Sequence, residues 1–314
     1  MTAQTTPQSP NPIWADEDTA RFLRLRVKTF YNADYFERIV MPLLDLPPSG
    51  QVLDVGCGYG GLSLLLARSR PDLRLIGVDA ETGALESASQ TARQDGLTNV
   101  AFEQGDAHQL KYAANQFDAV VCQTVLTHVR DAAAVVSEMA RVLKPGGVFM
   151  VAEYTNSGAW TTHDNVENSK RDEAWHQKYF RLARLLMQGK QALGRGDDQL
   201  GNRVPSLATA AGLEVFDVRL NDRALHVIPP YQHPKQAEYV ELLKAFYAPD
   251  PNRKGLAQNI ETLRAVGGAE EDANWLYDAV DDAAIRRALD ERTLSMVSAY
   301  MLYLTFARKP MTTS

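Results

Sequence analysis

The chain has 314 residues, 45% of them hydrophobic and 23% charged, with a formal net charge of −6. This is globular composition with room for a large core, so no disulfide or metal staple is needed, and the acidic balance argues against a dedicated nucleic-acid binder. Cys57 and Cys122 lack C-x-x-C spacing and are expected to be free thiols in a reducing cytosol.

Residues 1–15 are polar and proline-containing, without a basic start or an apolar core, and are expected to be a disordered tail rather than a secretion signal. Helical spacing of Phe22, Leu25 and Phe30 predicts a helix over 16–31, and Tyr35, Phe36, Ile39, Val40 and Leu43 a second over 33–45, ended by Pro47-Pro48-Ser49-Gly50. Residues 16–48 form a helical lid in this reading. From Gln51 the texture changes. Short apolar runs at 51–56, 73–80, 99–106, 117–123 and 147–154 alternate with helix-like segments at 60–69, 82–95 and 131–143. That alternation indicates βαβ units and an open, doubly wound parallel sheet over 49–154. Residues 155–200 show no strand run and predict a helical insertion with Trp175, Tyr179, Leu182 and Leu186 on one stripe. The core resumes over 201–222 with a helix at 203–211 and a strand at 213–221. A loop at 222–233 and a wholly helical stretch at 234–296 make a second insertion or cap, 223–297. A last strand at 298–309 closes the core segment 298–310. No run approaches the roughly 18 apolar residues that a membrane span needs.

The stretch Val52–Gly61, "VLDVGCGYGG", admits two readings. Gly56, Gly58 and Gly61 fit the dinucleotide pattern G-x-G-x-x-G. Gly56, Gly58 and Gly60 fit G-x-G-x-G with Asp54 two residues ahead. The loop follows the first sheet strand, at the switch point where ligands of open α/β sheets bind. Asp79 closes the second strand, where a carboxylate can accept both ribose hydroxyls of either ligand. Asp54 inside the first strand and Asp106 at the end of the third, in "EQGDAHQL", suit a dehydrogenase poorly.

With these residues in place, the sequence resembles the class I S-adenosylmethionine-dependent methyltransferases, and among them those that act on small molecules. The resemblance rests on "LDVGCGYG" at 53–60, "LIGVDAE" at 75–81, "GDAHQL" at 105–110, "FDAVVCQTVLTHV" at 117–129 and "LKPGG" at 143–147, five motifs in order over about a hundred residues. It implies a Rossmann-like seven-stranded sheet with its last strand antiparallel, the strands at 213–221 and 298–309 being the sixth and seventh, with helical caps in the insertions. The 75 or so residues between those strands depart from the family's usual short hairpin. The resemblance also implies a cofactor pose. Gly56, Cys57 and Gly58 would hold the methionine portion, with Asp54 positioning the loop or a water. Asp79 would bind the ribose with Ala80 beside the adenine, Asp106 and Ala107 would meet the adenine edge, and Gln123 would approach the methionine end.

Methyl transfer from a sulfonium is an in-line displacement in which alignment supplies much of the rate, and a base is needed only for a protonated, weakly acidic nucleophile. His128, just past the fourth strand, is the candidate base, and Glu153 at the end of the fifth a second catalytic candidate. Tyr31, Tyr154, Trp160, Trp175 and His226 are candidate substrate-binding residues, their aromatic character suiting an apolar or aromatic metabolite. His163, His176, His226 and His233 lack metal-ligand spacing, so no metal is expected. The expected partner is a small-molecule substrate, with no nucleic acid, a cytoplasmic location, and a homodimer left open. A protein or lipid substrate, a non-catalytic cofactor-binding scaffold and a dinucleotide oxidoreductase are the competing functions.

Overall fold

Strand-forming apolar runs assemble into one twisted sheet in the computed structural model, which describes residues 17–26, 29–155, 162–250, 252–299 and 301–311. Among these, the strands in chain order are β1 (Gln51–Val55), β2 (Arg74–Asp79), β3 (Val100–Gln104), β4 (Phe117–Gln123), β5 (Leu143–Tyr154), β6 (Thr162–Asp164), β7 (Glu214–Leu220), β8 (Ala224–Val227), β9 (Met296–Ala299) and β10 (Leu302–Arg308). The main sheet has the order β3-β2-β1-β4-β5-β10-β7. β1 to β5 are parallel, and β10 runs antiparallel to both β5 and β7. This is the expected seven-stranded sheet, with the last strand wedged between the fifth and sixth.

The sheet is buried on both faces, which is why its central strands read as nearly continuous apolar runs. On one face Leu53, Val55, Val120 and Cys122 pack under helices α6 (Ala132–Val142) and α8 (Val204–Ala210), through Val135, Met139, Val204 and Ala208. On the other, Val52, Ala119, Val121 and Met150 pack against Phe36, Val40 and Leu44 of the N-terminal segment and against Leu62 and Leu66 of α4 (Gly61–Ser69). α5 (Thr82–Gln94) joins β2 to β3. β2 and β4 flank β1, so the chain leaves β1 and β4 in opposite directions and opens a crevice at their carboxyl ends.

Four expectations need correction. The helix expected over 16–31 does not run to Tyr31: among the described residues α1 is Glu17–Arg26, and residues 29–32 are not α-helical before α2 (Ala33–Tyr35), which continues through a π-helical turn, Phe36–Val40, into α3 (Met41–Leu44). β5 begins at Leu143, so "LKPGG" is part of the strand. A register shift between Phe117 and Ala119 absorbs its extra residues as a bulge. The insertions are not purely helical. β6, β9 and β8 form a second, antiparallel sheet. The run expected as one strand at 298–309 is two: β9 belongs to that small sheet and β10 to the large one.

The cap helices are α7 (Glu173–Ala192), α9 (Pro234–Phe246), α10 (Lys254–Arg264), α11 (Glu270–Tyr277) and α12 (Asp282–Asp290). Leu225, Val227 and Met296 of the small sheet make a core of their own with Tyr239 and Leu242 of α9 and Ile285 and Leu289 of α12. No helix among the described residues is long and apolar enough to cross a membrane.

Candidate functional site

The glycine loop hangs from the end of β2. The amides of Gly56 and Cys57 both donate to the Val78 carbonyl, at 2.7 and 3.1 Å. Its glycines are needed for different reasons. Gly56 has φ +71°, and a Cβ there would lie 2.4 Å from the Val125 side chain, so Val125 of the β4–α6 turn packs directly on its backbone. Gly60 has φ +79°, caps α4, and would press a Cβ to 3.0 Å from Ala88 and Phe102. Gly58 has φ +49° and open space where its side chain would stand. Gly61 is already helical. The spacing that matters is therefore G-x-G-x-G, with Gly58 leaving the cradle that a ligand can enter.

Beneath the loop, Asp54 is buried and accepts a 2.6 Å hydrogen bond from Ser63 Oγ of α4. Burial pushes its carboxyl up to about 7, against the pull of the Ser63 hydrogen bonds. Asp54 thus ties the loop to the helix from below. Cys57 is buried, and burial, then the fields of Asp54 and Asp79, raise its thiol well above the ordinary range. At the β2 end, Asp79 accepts from the Gly58 amide at 2.7 Å and the Glu81 amide at 2.9 Å. Ala80 beside it is exposed, its carbonyl held by Gln104 at 3.2 Å. Past β3, exposed Asp106 accepts from the His108 amide at 2.8 Å and pairs with His108 Nδ1 at 3.0 Å, while Ala107 packs on the core. An acid at the β2 end, exposed edges past β2 and β3, and an open glycine cradle fit an adenosine carrying an amino-acid chain.

The far side of the crevice is the turn after β4, Leu126–His128. Glu153 of β5 is fully buried. One carboxylate oxygen accepts from the Val125 and Leu126 amides at 2.6 and 2.5 Å, and the other from Thr127 Oγ1 at 3.2 Å. Burial raises this carboxyl to about 7, and the backbone hydrogen bonds oppose the rise. Glu153 is turned onto backbone and caps the turn. His128 Nε2 lies 3.4 Å from Tyr154 Oη, and the Arg26 guanidinium stands 5.3 Å over the Tyr154 ring. Burial first, then the cations Lys190 and Arg26, depress the His128 pKa to about 3. Gln123, at the β4 end, accepts a 2.7 Å hydrogen bond from Tyr31 Oη.

Asp54, Gly56, Cys57, Gly58, Asp79, Tyr31, Gln123, His128, Glu153 and Tyr154 therefore gather around the carboxyl ends of β1, β2, β4 and β5. Trp175 belongs elsewhere: it stacks on Tyr179 at 4.8 Å and packs against Trp275 of α11. His226 lies exposed on β8, paired with Val297. Trp160 lies outside the described residues. Three participants escaped sequence reasoning. Ser63 sits on α4 within reach of a strand acid, a weak signal at best. Arg26 and Lys190 reach the His128 turn from helices remote in sequence, which no local pattern announces. A cleft of about 450 Å³ lies against the Leu126 end of the turn, lined by Leu126, Val129, Arg130, Asp197, Arg203 and Leu207, and no glycine-loop residue lines it.

The methyltransferase-domain family matches residues 47–212, the glycine loop and everything through α8. The chain belongs to the class I S-adenosylmethionine-dependent methyltransferases. S-adenosylmethionine is its cofactor. The methyltransferase is 27% identical over 270 residues to a sterol 24-C-methyltransferase of Debaryomyces hansenii, covering 83% of the chain and 66% of the relative. It is 35% identical over 122 residues to the ubiquinone/menaquinone biosynthesis C-methyltransferase UbiE of Desulfotalea psychrophila, covering 39% and 48%. Among solved structures it resembles the [4+2]-cyclase SpnF, with a TM-score of 0.53 and 20% identity over 95% of the methyltransferase and 96% of SpnF, a likeness of fold. The chain spans about a third to two thirds of the length of the curated relatives it matches.

Proposed function

We propose that this methyltransferase moves the methyl group of S-adenosylmethionine onto an N, O or C atom of a small, apolar or aromatic metabolite. The observation that carries the reading is the wall at the ends of β4 and β5. It consists of the Tyr31 and Tyr154 rings, the Gln123 amide and an uncharged imidazole, and the carboxylates near it are already engaged, Glu153 by backbone amides, Asp198 by Lys190 and Asp54 by Ser63. Such a surface suits an apolar acceptor.

When bound, S-adenosylmethionine supplies a methyl group on a sulfonium sulfur, open to displacement. The glycine-loop backbone and Asp79 hold its amino-acid and ribose portions, Ala80, Asp106 and Ala107 frame the adenine, and Gln123 meets the methionine end. Tyr31 and Tyr154 orient the acceptor and exclude water, so alignment carries most of the acceleration. A histidine with a pKa near 3 is a weak proton acceptor, so the acceptor is one that needs little help: an amine, an ionised phenol or a stabilised carbon nucleophile. Two relatives named as C-methyltransferases, of sterols and in quinone biosynthesis, support the carbon case.

The test incubates the protein with methyl-labelled S-adenosylmethionine and cell extract, beside an Asp79→Ala variant, and counts label in small molecules, lipid, protein and nucleic acid. Label in the small-molecule fraction, lost in the variant, supports the proposal. Label in protein, nucleic acid or phospholipid replaces it, while label on a small apolar compound within the lipid extract supports it. Binding of S-adenosylhomocysteine with no label anywhere favours a non-methylating role on the same fold, as the cyclase likeness illustrates.

A further inference from the structure

The Leu126–His128 turn is gripped from two sides that are far apart in the chain. From β5, Glu153 takes its amides and the Thr127 hydroxyl. From the insertion between β5 and α8, Lys190 Nζ of α7 donates to the Thr127 carbonyl at 3.1 Å and pairs with the Asp198 carboxylate. Gly196, with φ +97°, lies flat against the same peptide: a Cβ there would stand 2.2 Å from the Thr127 oxygen and 2.9 Å from the His128 carbonyl carbon. Only a glycine permits that approach. The insertion is thus fitted to this one peptide by both a charge-assisted hydrogen bond and backbone contact.

We infer that Lys190 and Gly196 are positioning residues: they make the insertion a clamp that fixes the His128 turn on its carbonyl side while Glu153 fixes it on its amide side. The clamp sets where His128 and Tyr154 stand, and so acts on the acceptor half of the site. This deepens the proposed methyl transfer and rests on it for its functional meaning, but the geometry can be tested without turnover. The charged and titratable groups facing His128 are Lys190 of α7, Arg26 of α1 and Tyr154 of β5, with Glu153 of β5 and Asp198 of the insertion beyond. Burial is the main reason the imidazole is neutral, and removing the Lys190 charge relieves the larger of the two cationic contributions that add to it.

The experiment titrates the His128 ring by NMR in the full-length protein, and S-adenosylhomocysteine binding by calorimetry, for wild type, Lys190→Met, Lys190→Arg and Gly196→Ala. The clamp predicts an upward shift of the His128 titration in K190M, restoration in K190R, and displaced His128 and Thr127 resonances in G196A. S-adenosylhomocysteine affinity stays within about threefold throughout. An unchanged His128 titration in K190M together with unmoved His128 and Thr127 resonances in G196A overturns the inference. If K190M fails to fold, K190R and G196A decide it by the same ring signals. Absence of methyl transfer by wild type with these shifts present would defeat the proposed function and leave the clamp standing.

Discussion

Tyr31 and Gln123, 92 residues apart, are joined by a 2.7 Å hydrogen bond in which the phenol donates to the amide oxygen. Burial, then nearby Tyr35, Glu153 and Asp54, raise the Tyr31 hydroxyl far above its ordinary range, so it remains a donor at any working pH. The segment carrying Tyr31 is pinned at its other side by Asn221 to the Phe30 carbonyl at 3.0 Å and by Tyr35 to the Leu220 carbonyl at 2.7 Å. The bond therefore closes the N-terminal segment over the end of β4, on the crevice where we propose the cofactor binds. Replacing Tyr31 with Phe removes that bond and leaves a half-buried amide oxygen unpaired, for a loss of about 1 kcal/mol in urea unfolding. S-adenosylhomocysteine affinity should fall as well. Unchanged affinity would separate Gln123 from the cofactor.

The two inner glycines should behave oppositely. Gly56→Ala forces a methyl into Val125 and into left-handed backbone, and should destabilise the fold by about 3 kcal/mol. Gly58→Ala meets nothing in the protein, and should reduce stability by only about 1–2 kcal/mol while filling the cradle and weakening S-adenosylhomocysteine binding by about tenfold or more. Thermal melts and calorimetry on both variants check this. Equal binding by Gly58→Ala and wild type would place the cofactor elsewhere.

Glu153 gives a pH prediction. Its carboxyl is raised from 4.5 to about 7 in the fold, so the native state holds a proton that the unfolded chain has lost between those values. Stability is then fully present below 4.5 and falls as pH rises through 7, by roughly 3 kcal/mol from this group. His128 acts the other way, since its depressed pKa makes stability fall as pH drops from 6.5 towards about 3. Glu153→Gln should therefore lower the urea midpoint less at pH 8 than at pH 5, relative to wild type at each pH. The reverse ordering would mean the native carboxyl is ionised throughout.

For His128, the weak basicity predicts that His128→Gln lowers kcat by less than about tenfold, well short of the 10²–10⁴ that general-base catalysis supplies. Once an acceptor is in hand, steady-state kinetics from pH 6 to 9 measures this. A hundredfold loss with a limb that vanishes in the variant would establish His128 as the base.

The parts of the fold that could be read in the sequence are those whose signal is local. β1, β2 and β4 are mostly apolar runs, interrupted by Asp54 in β1 and Asp118 in β4, because both their faces are covered, and the glycines of the loop stand where backbone conformation or close packing requires them. The small sheet was not legible. Thr162–Asp164, Ala224–Val227 and Met296–Ala299 are three or four residues each, too short for alternation to register, and they pair across more than sixty residues of chain. The β9–β10 break was hidden for a similar reason, because both halves share one apolar run. The place of Glu153 at a strand end marks it in the sequence as a candidate. Its task, capping a turn from below, depends on burial that only the packed sheet creates. Lys190 and Arg26 reach the site from separate helices, and sequence spacing carries no trace of such a meeting.

The placement of β10 has a bearing on how this enzyme could be rebuilt. β7 and β10 are adjacent antiparallel neighbours, Leu220 opposite Tyr303, and the Asn221 amide already bonds to the Leu302 carbonyl at 3.1 Å. The second cap therefore departs from and returns to a single point on the sheet margin, as a long excursion between the two arms of a hairpin. Because closing a longer or shorter loop changes the entropy only logarithmically, the excursion can be exchanged for another of different length with little effect on the sheet. The hairpin base at Asn221 and Leu302 is the splice point for such an exchange, and the first insertion has to be refitted with it, because β6 pairs with β9 and Trp175 of α7 packs on Trp275 of α11.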